Sequence, residues 1–272
     1  MIYLNYLGKM GQLGNQMFQY SALKGIANHL NYDFCIPNHD ELIVDALGNK
    51  LRIELFAPFK LKNFSDKNIG ICDINNTQVV NEKHFHFDKD LFDTCPDNCC
   101  LIGYFQTEKY FSHIRNELLE DFEFIDEIQN PCKEMIENVD NPIALHIRRG
   151  DFLRNSGNHH NLSLDYYENA LNHFDDDRQV IIFSDEPKWC KDQSLFESDR
   201  FLVSETNNPY ADLCLMSMCS DFIIANSTFS WWGAWLGTNS NKKVLFPSKW
   251  FGPNNLHHDT KDLFPDTWVE IQ

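Results

Sequence analysis

Cations are scarce in this sequence. Its 272 residues carry 23 Lys and Arg against 40 Asp and Glu, a formal net charge of −17 at pH 7. A body this acidic repels polyanions, which excludes a general nucleic-acid surface and a broad anionic-lipid surface. There is no Cys-x-x-Cys pair among the nine cysteines, and Cys95, Cys99 and Cys100 form the only cluster. A zinc site there would need a fourth ligand such as His84 or His86 at an unusual spacing; unpaired thiols in a reducing compartment fit the usage better. Long apolar runs are missing near the N-terminus, where Met1 to Leu7 is interrupted by Gly8 before it reaches the length of a signal core or a membrane span. The expectation is a cytoplasmic protein without a transmembrane segment, with peripheral membrane contact left open. Neither the P-loop pattern nor the Gly-x-Gly-x-x-Gly dinucleotide fingerprint occurs.

What is present describes a folded chain. Hydrophobic residues make up 43% and phenylalanine alone numbers 22, which excludes a disordered protein and leaves material for one large core or two ordinary ones. The most informative stretch is Ile143 to Phe152, Ile-Ala-Leu-His-Ile-Arg-Arg-Gly-Asp-Phe. Five uncharged residues predict a strand buried on both faces, and the run ends in two guanidiniums, a glycine and a carboxylate. In an open parallel sheet, ligands bind just beyond the carboxyl ends of strands. Arg148 and Arg149, followed by Gly150, therefore suit an anion with several oxygens.

Ahead of that stretch, Ile2 to Leu7 predicts a strand and Gly8 to Asn15 a loop punctuated as Gly-x-x-Gly-x-x-Gly. A helix follows, with Phe18, Ala22, Ile26 and Leu30 at four-residue spacing. Strand, glycine loop and helix offer backbone N–H groups to a phosphate or a sugar, although tight-turn geometry explains the glycines equally well. Asp33 to Pro37 and Leu101 to Phe105 predict further strands, and Glu108 to Phe122 a helix. Between Asp40 and Asn98 the pattern blurs, and little chemistry can be read there. The boundary between halves is placed in the connection Asp126 to Pro142, giving domains 1–130 and 131–272.

The second half alternates clearly. Strands are predicted at Val180 to Phe183, Arg200 to Val203, Asp221 to Ala225 and Val244 to Pro247. Helices are predicted over Leu164 to Phe174, from Pro187, over Pro209 to Cys219 and from Asn226-Ser227-Thr228 to Leu236. Strands separated by helices of this length make βαβ units and a parallel, doubly wound sheet, so the fold class is α/β. Three polar strand exits then share one edge: Arg148 to Asp151, Ser184-Asp185-Glu186 and Asn226-Ser227-Thr228. The last suits a phosphate at a helix N-terminus, or serves as a plain N-cap. Asp185, with no ion partner evident in sequence, suits ribose hydroxyls or the amidine edge of guanine, or a helix cap. Together these exits predict a nucleotide diphosphate pocket whose natural occupant is a nucleotide sugar. No Asp-x-Asp stands at these exits, so no essential divalent ion is expected.

His146-Ile-Arg-Arg-Gly-Asp151, Phe183-Ser-Asp-Glu-Pro-Lys-Trp189, the run from Ala225 through Asn-Ser-Thr-Phe-Ser-Trp-Trp to Leu236, and Gly11-Gln-Leu-Gly-Asn-Gln-Met-Phe-Gln-Tyr20 resemble, in order and spacing, the α-1,2-fucosyltransferases of glycosyltransferase family 11. The resemblance implies a GT-B fold of two facing Rossmann-like domains, with acceptor on the N-terminal one and GDP-fucose on the C-terminal one. It implies inverting, metal-independent transfer of L-fucose to the 2-hydroxyl of a β-galactoside, with GDP-fucose as donor substrate and no cofactor. By motif, His146, Arg148 and Arg149 would meet the β-phosphate and fucose, and Asp185 the guanosine. Asn226, Ser227, Thr228 and Phe229 would surround the pyrophosphate, with Gly14 and Asn15 approaching from the other domain. His146, Arg148 and Asn15 are the catalytic candidates; for His146 a buried histidine that only hydrogen-bonds its neighbours is an equal reading, Asp151 is expected to orient an arginine, and no general base is named. Gln12 and Phe152 depart from the family pattern, where a glycine and a tyrosine are usual. A related inverting transferase of other donor or linkage, and a non-catalytic nucleotide-sugar or glycan binder, stay open, as do the acceptor and the oligomeric state.

Overall fold

The computed structural model describes residues 1–38, 43–44 and 50–272. They form two compact units, residues 1–125 with 258–265, and residues 126–257 with 266–272. No described helix is long and apolar enough to cross a membrane.

The first unit comprises β1 (Ile2–Tyr3), α1 (Leu13–Leu30), β2 (Phe34–Cys35), the antiparallel pair β3 (Ile43–Val44) and β4 (Lys50–Leu51), β5 (Gln78–Asn81), α2 (Lys89–Thr94), β6 (Cys99–Ile102) and α3 (Arg115–Asp121). Its main sheet is parallel throughout, in the order β2-β1-β6-β5. The expected strand from Ile2 to Leu7 stops at Tyr3 because Asn5 leaves the ladder: its amide donates to the Cys72 carbonyl at 2.8 Å and accepts the Cys72 N–H at 3.2 Å. Gly8 and Gly11 then turn the chain at φ +81° and +90°, the left-handed region that glycine alone enters without strain. α1 is buried along most of its length, so its four-residue apolar stripe is widened by polar residues, of which Gln16, Gln19 and Lys24 find internal partners. Lys24 meets Asp121 at 2.5 Å, and the same carboxylate accepts the Tyr20 hydroxyl at 2.9 Å and the Asn63 N–H at 2.7 Å. The helix expected over Glu108 to Phe122 is broken into two 3-10 turns, Glu108–Tyr110 and Ser112–Ile114, before α3. Phe111, at φ −142° and ψ 2°, steps out of the helical path, and both it and Tyr110 are wholly buried.

The second unit comprises α4 (Asp126–Ile136), β7 (Ile143–Ile147), α5 (Gly150–Arg154), α6 (Leu164–Leu171), β8 (Val180–Ser184), α7 (Pro187–Lys191), β9 (Phe201–Val203), α8 (Pro209–Ser217), β10 (Asp221–Ile223), α9 (Thr228–Leu236), β11 (Val244–Pro247) and β12 (Val269–Ile271). Its six strands are parallel, in the order β12-β11-β10-β7-β8-β9. Chain order runs outward from β7 on one side and outward from β10 on the other, which is the doubly wound arrangement expected. β12 carries no signal in the sequence: in Val269–Ile271 only the end residue Ile271 is buried, so the segment offers no apolar run. β7 is buried at all five positions, and Ile143, Leu145 and Ile147 share one core with Val180, Ile182, Ile223 and Leu245. α9 is apolar on every side and correspondingly buried, with Trp231, Trp232 and Trp235 all within it. Ring centroids of Trp232 lie 5.1 Å from Trp231 and 5.0 Å from Trp235. Gly233 lets Met216 of α8 approach so closely that an added Cβ would sit 2.2 Å from its sulfur. The N-terminus of α9 is thus anchored by close packing at the tryptophans and on α8.

Candidate active site

The reversal of chain order in the second sheet falls between β7 and β10, and such a switch point opens a crevice at the carboxyl ends of the two strands. β7 delivers Arg148 there and β10 delivers Ser227. Pairing of Ile147 with Ser184 and of Leu145 with Ile223 sets the exits of β7, β8 and β10 beside one another. All three polar exits read from the sequence therefore meet at one edge of one sheet.

Arg148 is gripped from two sides. Its Nη2 donates to Asp151 Oδ1 at 2.7 Å, as expected for Asp151, and its Nη1 lies 3.3 Å from Asp185 Oδ2. Asp185 also accepts the Arg149 backbone N–H on Oδ1 at 3.0 Å. The carboxylate that has no evident partner in sequence thus has two, and both lie on the exit loop of β7. Gly150 makes this possible, because a Cβ at that position would stand 2.6 Å from Asp185 Oδ2. Arg149 is differently employed. Its guanidinium carbon lies 3.7 Å from the centroid of Trp189, and its Nε donates to Glu186 at 2.9 Å. Stacking and pairing hold its charge against α7.

His146 is buried in β7, its ring 5.5 Å from that of Phe229 in the first turn of α9. Burial first, and Arg148 second, lower its pKa from 6.5 to about 3. A histidine held neutral in this way offers hydrogen bonds and is a poor proton acceptor at neutral pH. Among the described residues, His146 Nδ1, Arg148 Nε and Asn161 Oδ1 are buried without a hydrogen-bond partner, an arrangement that costs about 1–3 kcal/mol per group unless something polar meets them. Ser227 occupies the N-cap of α9 without turning its side chain back to cap it. The first-turn N–H groups, including those of Thr228 and Phe229, have no partner within the helix and carry the positive end of its dipole. Asn226 instead braces the rim: its amide donates to the carbonyls of His160 and Trp250, each at 2.8 Å, and so ties two loops together there.

A family model described as glycosyl transferase family 11 matches residues 3–272. The chain belongs to that family. It is similar to the O-antigen biosynthesis glycosyltransferase WbnK of Escherichia coli, at 30% identity over 96% of this chain and 98% of the relative. It is equally similar, at 30% identity over 96% and 97%, to an alpha-1,2-colitosyltransferase of Escherichia coli. Among solved structures, the α-1,6-fucosyltransferase NodZ soaked with GDP-fucose covers 86% of this chain with 91% of its own length at a TM-score of 0.54 and 12% identity. That likeness identifies the fold as GT-B, in keeping with the two parallel-sheet units.

The remaining candidates of this family 11 glycosyltransferase lie in the first unit, in the opening turn of α1. Gly14 is buried, and Asn15 Oδ1 accepts from Gln106 Nε2 at 2.9 Å. Gln12, in place of the family's glycine, is exposed at φ −87°, a conformation open to any residue, so the departure strains nothing. Phe152, in place of tyrosine, is buried, stacks on His159 at 3.9 Å, and lies under the Arg148 guanidinium at 5.3 Å. Asp-x-Asp spacing does occur away from the strand exits, at Asp88-Lys89-Asp90 and Asp175-Asp176-Asp177. Asp88 caps α2 by accepting the Leu91 N–H at 3.0 Å, and Asp176 is an exposed partner of Arg200. Among the described residues, no three His, Cys, Asp or Glu side chains are grouped to hold a metal ion. The structure adds Trp189, on which Arg149 stacks, as a residue with a part to play at the site. Trp189 follows Arg149 by forty residues, and no local pattern links an aromatic ring to a cation at that distance.

Proposed function

We propose that the protein transfers L-fucose from GDP-fucose to the 2-hydroxyl of a β-galactoside, with inversion and without a metal ion. The observation that carries this reading is that Arg148 and the N-terminus of α9, which the Ser227 side chain does not cap, follow adjacent parallel strands at the same edge, at the switch point between β7 and β10. In the transfer, the acceptor oxygen bonds to the anomeric carbon and releases its hydroxyl proton to solvent, as the bond from that carbon to the β-phosphate oxygen breaks and the electron pair leaves with the diphosphate. The charge developing there is met by the Arg148 guanidinium and by the Thr228 and Phe229 N–H groups, which are fixed in advance by Asp151, Asp185 and the tryptophans of α9. Neutral His146 supplies a further hydrogen bond to the phosphate or the sugar. The nine unbridged cysteines suit a reducing compartment such as the cytoplasm.

A second donor, carrying colitose in place of fucose, is favoured by the 30% identity to the colitosyltransferase. Incubation with each donor and a panel of β-galactosides, followed by linkage analysis of the product, separates the two. The expected product is an α-1,2-fucosyl galactoside, and Arg148→Ala is expected to lower the rate by at least about 100-fold while the fold is retained. Wild-type turnover in that variant would overturn the mechanism, and a product formed only from another donor would overturn the specificity.

A further inference from the structure

In the first sheet β1 and β6 are parallel neighbours, so both strands leave it at the same edge. The segments leaving the sheet there are the glycine loop ahead of α1 and residues 103–107 after β6, and the Gln106 to Asn15 bond joins them. Gln19 reinforces the junction by donating to the Gly103 carbonyl at 2.9 Å. Beside it stands Glu82, the first residue after β5, whose N–H continues the ladder to the Ile102 carbonyl at 2.8 Å. Its carboxylate accepts the Tyr104 N–H on Oε2 at 2.8 Å and the Phe105 N–H on Oε1 at 2.9 Å.

Backbone strain accompanies this arrangement. Phe105 is wholly buried yet sits at φ +53°, where a bulky residue is an outlier, and a Cβ on Gly103 would stand 2.5 Å from Glu82 Cβ. Strain of this kind persists where the surrounding structure holds a particular geometry, and here the geometry held is that of a carboxylate facing a sheet edge. Burial raises the Glu82 carboxyl from 4.5 to about 7, against the two N–H bonds that lower it. Between the two N–H donors' side chains, Phe105 goes into the core while Tyr104 keeps 37% of its surface exposed. The Tyr104 hydroxyl is pushed up by burial and then by the Glu82 carboxylate, so ring and carboxylate act on one another. An ionised carboxyl group accepts at about four lone-pair positions, two of which remain after the backbone bonds. An aromatic face beside free acceptors matches a pyranose, which has an apolar C–H face and a rim of hydroxyls.

We propose that Tyr104 and Glu82 form the subsite for the acceptor sugar on the first unit, Tyr104 packing against the pyranose face and Glu82 accepting hydrogen bonds from its hydroxyls. The Gln106 and Asn15 amides extend the subsite along the same edge. This rests on the transferase reading above for the identity of the sugar as acceptor, while the binding itself is measured without any donor.

Saturation-transfer NMR on the whole protein with methyl β-galactoside, methyl β-glucoside and N-acetyllactosamine tests it, alongside Tyr104→Ala, Tyr104→Phe and Glu82→Gln. At least one sugar is expected to bind the wild type. Tyr104→Ala and Glu82→Gln are each expected to weaken it about tenfold, and Tyr104→Phe to retain it. Under turnover, acceptor KM rises by the same factor with donor KM unmoved. The thermal shift given by GDP stays at its wild-type value in all three variants. Failure of every sugar to contact the wild type, or wild-type affinity in Tyr104→Ala, overturns the subsite; the exposed position of Tyr104 keeps that variant folded even if Glu82→Gln is not. A wild-type protein that binds sugar but shows no GDP shift defeats the donor reading instead.

Discussion

Arg148 and Arg149 are neighbours in sequence with separate duties. Arg148 is oriented by two carboxylates at a strand exit, whereas Arg149 is stacked on Trp189 and paired with Glu186. Lysine at position 149 keeps the charge and loses the planar stack, so Arg149→Lys is expected to cost ~1 kcal/mol of stability by urea denaturation while GDP affinity is nearly kept. A loss of GDP affinity as deep as that of Arg148→Ala would contradict this division. His146 carries a pH signature of defined sign. Its folded pKa, about 3, lies below the ordinary 6.5, so the unfolded chain takes up the proton first as the solution is acidified. Stability from this residue is whole above about pH 6.5 and falls by up to ~1.4 kcal/mol per pH unit toward pH 3. Thermal melts from pH 7 to pH 4 are expected to drop less steeply for His146→Asn than for the wild type; parallel curves would contradict the assignment.

Among the elements, α1 and α9 are each buried along most of their length. Gly25 in α1 admits the Tyr110 backbone, since a Cβ there would lie 2.1 Å from the Tyr110 carbonyl oxygen. A carbonyl in the chain cannot swing aside as a side-chain end can, so Gly25→Ala is expected to cost about 1–3 kcal/mol, read as a lowered Tm. An unchanged Tm would mean that α1 shifts freely. Elements of this kind are legible in the sequence to different degrees. β7 and β8 are plain because burial on both faces demands a continuous apolar run, and the polar residues ending each run mark the site. β12 is hidden because an edge strand with one buried residue leaves no such mark. The segment from 103 to 107 reads in sequence as the end of a strand, since nothing in Gly-Tyr-Phe-Gln-Thr announces a phenylalanine at positive φ. That conformation is imposed by Glu82, twenty-three residues away, as the grip of Asp185 on Arg148 is imposed across thirty-seven. Contacts made across a sheet edge depend on strand order, and strand order is not a local property of the chain. Part of the blurred stretch, residues 40–42 and 45–49, lies outside the described residues.

For the molecule as a whole, the net charge of −17 opposes an anionic donor, and at the switch point of the second sheet the direct contacts of Arg148 and the α9 terminus work against that field. Salt screens the distant charges, beyond the Debye length of about 10 Å at 0.1 M, more than the direct contacts of Arg148 and the α9 terminus. Donor association is therefore expected to quicken as ionic strength rises from low values, and stopped-flow binding that slows steadily with salt would contradict a site dominated by local cations. The central claim is that those cations hold a diphosphate. Isothermal titration of GDP and of guanosine into the wild type and into Arg148→Ala tests it most directly. GDP affinity is expected to fall by about 100-fold in the variant while guanosine binds both proteins alike. Equal GDP affinity in the two proteins would contradict it.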